Sequence, residues 1–223
     1  MEKLNIKNQD LLEAIYEMEV LNGKARLTDV AAKLEFSKSR ANQEVKKLKS
    51  MGLVVEEKYG PLQLTDLGKF EAERVVFTHQ LIKTFLIRIL NVEEDVAEKD
   101  ACAIEHVISE ETIQAIVNQL EKVTDSIGEF SLKEAEGYLI RKKRLSELKM
   151  NKKAKILKIQ GGREMKKRLM EIGVIKGEIV QLVSIAPFGD PLEFAINDFK
   201  LSLRLKEIDN IIVELLEEEL YGR

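Results

Sequence analysis

The chain reads as mainly helical, with a small β domain at its C-terminal end. Two observations predict that class. Apolar residues recur every three to four positions through most of residues 9–123, whereas strand-like alternation starts only beyond Leu145. Glycine and proline punctuate that later stretch at Gly161-Gly162, Gly173, Gly177, Pro187, Gly189 and Pro191. A chain of 223 residues has room for two or three domains, each with its own core.

Leu11, Leu12, Ile15, Met18 and Leu21 repeat at helical spacing over 9–21, and Thr28 is the expected N-cap of a second helix. Ser37 is placed to cap a third, Lys38–Met51, with Ala41, Val45 and Leu48 on one face and Gly52 as its C-terminal stop. Two short strands, 53–57 and 62–65, follow around a turn at Tyr59-Gly60-Pro61. Three helices and a hairpin in this order describe a winged helix-turn-helix. Leu67, Phe70, Val75, Phe77, Leu81, Phe85 and Ile89 predict one long helix from Asp66 to about Leu90, broken at Asn91. A helix over 93–109 is expected next, then one over 110–123 capped by Ser109, and a short one started by a capping box at Ser131–Glu134, where a chance match in a polar linker is the alternative. Strands at 154–159, 178–183, 194–196, 200–204 and 211–214, with a short amphipathic helix at 164–172, are expected to form a small barrel.

The net charge of −3 excludes a global basic field. Its distribution is uneven: Lys38, Arg40, Lys46, Lys47 and Lys49 stand against one Glu44, a second basic block runs over 141–168, and 93–121 and 214–219 are acidic. One cysteine excludes an internal disulfide, no signal peptide is evident, and the apolar runs are too short to span a bilayer. The expected location is cytoplasmic, with no membrane partner.

Two patterns carry chemistry. In a major groove the reading side chains lie near the N-terminal end of one helix. Here those are Ser37, Lys38, Ser39, Arg40, Asn42 and Gln43, with Lys38 and Lys46 suited to phosphates and Lys47 a further DNA-binding candidate. The alternative is a packing unit with a solvated basic face. The second pattern is Cys102-Ala103-Ile104-Glu105-His106, which in a helix sets a thiol, a carboxylate and an imidazole on one face. Such a donor set suits a divalent transition metal. The alternative is a buried cysteine beside two surface polar residues.

The chain resembles the diphtheria toxin repressor family of metal-dependent transcriptional regulators. The resemblance rests on Leu12-x-x-Ile15-Tyr16, Met51-Gly52-Leu53-Val54, Leu64-Thr65-x-x-Gly68, His79 and Cys102-x-x-Glu105-His106. The C-terminal stretch resembles FeoA-like SH3 domains through Gly161-Gly162, Lys167-Arg168-Leu169-x-Glu171-x-Gly173, Gly177 and Ala186-Pro187-x-Gly189-Asp190-Pro191. These resemblances imply a winged helix over 1–72, a helical metal-binding and dimerisation domain over 73–125, a linker over 126–144 and an SH3-like β-barrel over 145–223. They imply a primary metal site of Asp10, Cys102, Glu105 and His106, with Glu13 one turn on from Asp10. The thiolate favours Fe(II) and the carboxylates accommodate Mn(II); iron is the leading expectation. A second site keeps His79 but has Lys83 where the family has a carboxylate and Glu98 where it has a histidine. Lys83 is expected to pair with Glu98 or Glu105, or else Glu13, Glu98 and His79 form a rearranged site. The implied partners are double-stranded operator DNA and a second copy of the chain, with no small organic substrate and no enzymatic reaction. An iron-trafficking adaptor acting through the FeoA-like end is the alternative from another class.

Overall fold

The computed structural model describes residues 4–56, 60–123, 135–197 and 199–216. The chain divides into two compact units, 1–139 and 140–223.

In the first unit, α1 (Ile6–Asn22) begins at Asn5, whose side chain accepts from Asn8 N, and ends at Gly23 in the left-handed conformation (φ 67°). α2 (Leu27–Lys33) and α3 (Lys38–Ser50) pack with it over Leu11, Leu12, Ile15, Val45 and Leu48, all buried. Ser37 caps α3 by accepting from Arg40 N at 3.2 Å. Thr28, the expected cap of α2, lies inside the helix and donates to Asp29 Oδ1. The start is set two residues earlier, at Arg26, by tertiary pairing: Ala25 bridges Leu62, and the Arg26 carbonyl accepts from both Asp29 N and Val30 N. β1 (Val54–Glu56) and β2 (Leu62–Leu64) pair antiparallel as the wing.

α4 (Asp66–Arg88) is capped by Thr65, which accepts from Gly68 N while its hydroxyl donates to Gly52 O. Gly68 lies so close to the Leu53 carbonyl that a Cβ would overlap its oxygen, so this junction of wing and helix requires glycine. Asn91, at φ 54°, separates α4 from α5 (Glu94–Ile104), and Ser109 caps α6 (Glu110–Val123). The helix predicted over 93–109 therefore ends early. Glu105 N still reaches Ala101 O, but Val107 N and Ile108 N both turn back to Ile104 O, and the chain bends there. The capping box at 131–134 lies outside the described residues.

A π-helical turn (Gly137–Arg141) spans the boundary, and the second unit continues with β3 (Lys142–Arg144), β4 (Lys153–Ile159), α7 (Arg163–Glu171), β5 (Ile179–Ile185), β6 (Leu192–Ile196), β7 (Phe199–Leu203), α8 (Leu205–Ile208) and β8 (Ile211–Leu215). All pairings are antiparallel, in the order β3-β8-β4-β5-β6-β7. β3 falls within the expected linker. Its basic residues read as solvated, yet Lys143 and Arg144 are buried.

A closed barrel was expected, but among the described residues β3 and β7 remain unjoined edges. Irregularities at Ile156/Lys158 and Leu182/Ser184 interrupt the register of the sheet. Leu145, Leu169, Val174 and Ile208 from the connecting segments join Ile156, Val180 and Phe194 in one core. Helices and turns thus complete the enclosure that the strands leave open. No described helix is long and apolar enough to cross a membrane.

Candidate metal centre

Three elements of the first unit converge on one acidic cluster. α1 supplies Gln9, Asp10 and Glu13, α4 supplies His79 and Lys83, and α5 with its following turn supplies Glu98, Cys102, Glu105 and His106. Glu105 is 8% exposed, and the His106 side chain 5%.

The orientation of the His106 ring follows from its neighbours. Gln9 Nε2 donates to Leu4 O, which turns Gln9 Oε1 toward His106 Nδ1, 2.7 Å away. An amide oxygen only accepts, so Nδ1 carries the hydrogen. His106 Nε2 lies 3.0 Å from Asp10 Oδ1 and 3.2 Å from Glu105 Oε1. Glu105 Oε1 is buried without a hydrogen-bond partner. An imidazole nitrogen and two carboxylate oxygens meeting at one point fit a cation, and a histidine fixed through its other nitrogen is the usual arrangement of a metal ligand. The side chains are closed on one another, however. Among the described residues no three His, Cys, Asp or Glu donors form a ready coordination sphere.

The His79 side is arranged differently. His79 Nδ1 contacts Glu105 Oε2 at 2.7 Å and Nε2 contacts Glu98 Oε1 at 3.1 Å. The hydrogen bond to Glu105 raises the imidazole above its ordinary pKa despite burial. Lys83 Nζ lies 2.9 Å from Glu98 Oε2 and 3.0 Å from Glu94 Oε1, and its hydrogen bond holds the Glu98 carboxyl below its usual range. Lys83 thus meets Glu98, one of its two expected partners, and Glu94, which was unforeseen.

Burial pushes Glu13 up to about 7, reinforced by the Glu105 charge, and it raises Asp10 against the pull of His106. Cys102 was expected on one helical face with Glu105 and His106. α5 stops at Ile104, and Cys102 is exposed while those two turn inward. Its thiol is nevertheless raised, first by partial desolvation and then by the carboxylates of Glu105, Glu13, Asp10 and Glu98. Sequence reasoning missed Gln9; its only signal was its place beside Asp10.

On α3, Lys38, Ser39, Asn42, Gln43, Lys46 and Lys47 are exposed, as is the capping Ser37. Arg40 stacks 4.1 Å above the Phe36 ring, Asn42 Nδ2 donates to Lys38 O, and Lys47 Nζ reaches both oxygens of Glu44. Gln43 and Lys46 stand on the same open face.

Residues 3–62 match the iron dependent repressor N-terminal DNA binding domain, 65–126 the iron dependent repressor metal binding and dimerisation domain, and 143–215 the FeoA domain. An HTH-type transcriptional regulator of Methanocaldococcus jannaschii is 32% identical over 120 residues, covering 53% of this chain and 96% of that protein. The HTH-type transcriptional regulator MntR of Bacillus velezensis is 34% identical over 117 residues, covering 52% and 82%. Among solved structures, T. acidophilum IdeR aligns over 97% of this chain and 100% of its own, at 19% identity and a TM-score of 0.48. The sequence matches carry the assignment: the chain belongs to the iron-dependent repressor family of metal-dependent transcriptional repressors, and it carries a FeoA domain over 143–215.

Proposed function

We propose that the chain is a homodimeric, cytoplasmic repressor that binds operator DNA through α3 when Fe(II) occupies the cluster of Asp10, Glu105 and His106, with Cys102 and Glu13 as further ligands. The observation that carries this reading is the meeting of His106 Nε2, Asp10 Oδ1 and the unpartnered Glu105 Oε1. A divalent ion bound there supplies the missing positive charge and a directional link between α1 and the turn after α5. Asp10 extends that link into the DNA-binding helices, because α1 packs with α2 and α3. Gln9 holds the His106 ring in the required tautomer. Glu19 Oε1 accepts from Leu64 N, so α1 also holds the wing.

His79 and Glu98 take a structural part in this proposal, since Lys83 already neutralises Glu98. Ser37, Lys38, Ser39, Arg40, Asn42, Gln43, Lys46 and Lys47 form the DNA face, with Gln43 on base edges and the lysines on phosphates.

Mn(II) is the second reading. It is favoured by the exposure of Cys102, which leaves oxygen and nitrogen donors as the ones already together, and by the identity to MntR. Selecting genomic fragments anaerobically with Fe(II), Mn(II) or chelator tests both. Palindromic fragments enriched only with metal support the repressor, and the ion that enriches them at the lower concentration names the effector. Equal, sequence-blind recovery in all three overturns the reading.

A further inference from the structure

α1 reaches beyond the acidic cluster. Asn8 is 3% exposed on the same helical segment as the buried apolar residues Leu11, Leu12 and Ile15. Its Nδ2 donates to Glu44 Oε2 of α3 at 3.2 Å. Glu44 is 7% exposed, and its carboxylate also accepts from Lys47 Nζ at 3.0 and 3.2 Å. Burying an amide and a carboxylate costs free energy that an apolar pair would avoid, and the return is one fixed relative placement of two helices.

The position of Asn8 makes that placement useful. Gln9 and Asp10 follow it directly, and successive helical residues are about 100° apart, so one turn of α1 faces α3 on one side and His106 on another. Buried apolar side chains such as Leu12 and Val45 tolerate a small slide between helices. A hydrogen bond does not, because it weakens steeply once stretched or misaligned.

We infer that the buried Asn8–Glu44 hydrogen bond is the positioning contact that passes the state of the Gln9–Asp10–His106 cluster to α3, carrying Lys47 with it. The inference rests on the metal-activated reading above.

The test compares DNA affinity with and without Mn(II) or Fe(II) in the full-length protein, alongside metal affinity without DNA and a thermal melt. The readout is the gain in DNA affinity on adding metal, a ratio that a uniform loss of stability or of DNA contacts leaves unchanged. Wild type is expected to gain on the order of 5- to 150-fold. Asn8→Ala and Glu44→Ala should each cut that gain to about twofold or less, and the double variant should lose no more than either single one. Glu44→Gln keeps an acceptor for Asn8 and should retain most of the gain, which keeps the inference open to refutation if Asn8→Ala melts. Metal affinity of Asn8→Ala without DNA should stay within about threefold of wild type. A full gain in Asn8→Ala, or equal losses with and without metal, overturns the inference alone. A wild type with no gain overturns the repressor reading and this link together.

Discussion

The two histidines of the cluster share one carboxylate and live in opposite electrostatic settings. His79 sits between Glu98 and Glu105, and Lys83 adds an ammonium on the far side of Glu98. His106 sits with its Nδ1 directed at Gln9 Oε1 and its Nε2 between the carboxylates of Asp10 and Glu105. On the first side the protein supplies its own cations. On the second it gathers two carboxylates around one imidazole nitrogen, a charge pattern that the proposed ion would balance. One fold thus holds a self-neutralised half and a half that the proposed ion would balance, joined at Glu105.

That contrast is open to attack. His106→Ala strikes the second half and should lower metal affinity on the order of 100-fold or more, read by competition with a chelating dye. Retained affinity would move the site elsewhere. Gln9→Leu leaves every proposed ligand in place but frees the His106 tautomer. A loss of about 10- to 100-fold is expected, and no loss would mean that the Gln9 hydrogen bond is incidental. Lys83→Met removes the cation of the other half. It should raise the number of ions bound per protomer above the wild-type count, read by metal analysis after gel filtration; an unchanged count would show that Lys83 does not stand in for a charge.

The smallest effect concerns Glu13. Its carboxyl ordinarily titrates at 4.5 and is pushed to about 7 in the folded chain, chiefly by burial. The folded state therefore holds the extra proton more tightly. Its contribution to stability is complete below pH 4.5 and is lost as pH rises through about 7. In chelator, wild type should lose on the order of 1–3 kcal/mol relative to Glu13→Gln between these limits, measured by urea unfolding. Parallel pH profiles for the two proteins would place Glu13 in a better solvated setting.

What the sequence made legible were features written in single residues. Ser37 and Ser109 accept from amides of α3 and α6 because a short polar side chain at a helix start has few other uses. The residues of the cluster were likewise identifiable by type, since thiol, carboxylate and imidazole in one pentad are chemically conspicuous. Features decided by distant partners were not legible. α5 ends at Ile104 with Glu105 drawn inward toward His79, whose position is set by α4. β3 looks like a solvated basic run, and only its pairing with β8 makes Lys142–Arg144 a strand. Gln9 resembles any helical surface glutamine until the fold brings His106 beside it, 97 positions away in sequence. The closed barrel failed for a related reason: alternation marks strands but does not say which edges meet.

The junction at Gly68 has a consequence for how the protein can change over time. A side chain there would overlap the Leu53 carbonyl, and every amino-acid replacement of glycine adds at least a Cβ. Drift is therefore closed at this one position, while solvated positions along the same helix, such as Lys69, remain open to it. The wing and the start of α4 are bound to descend as a single inherited piece, and a lineage that altered one would have to rebuild the other at the same moment.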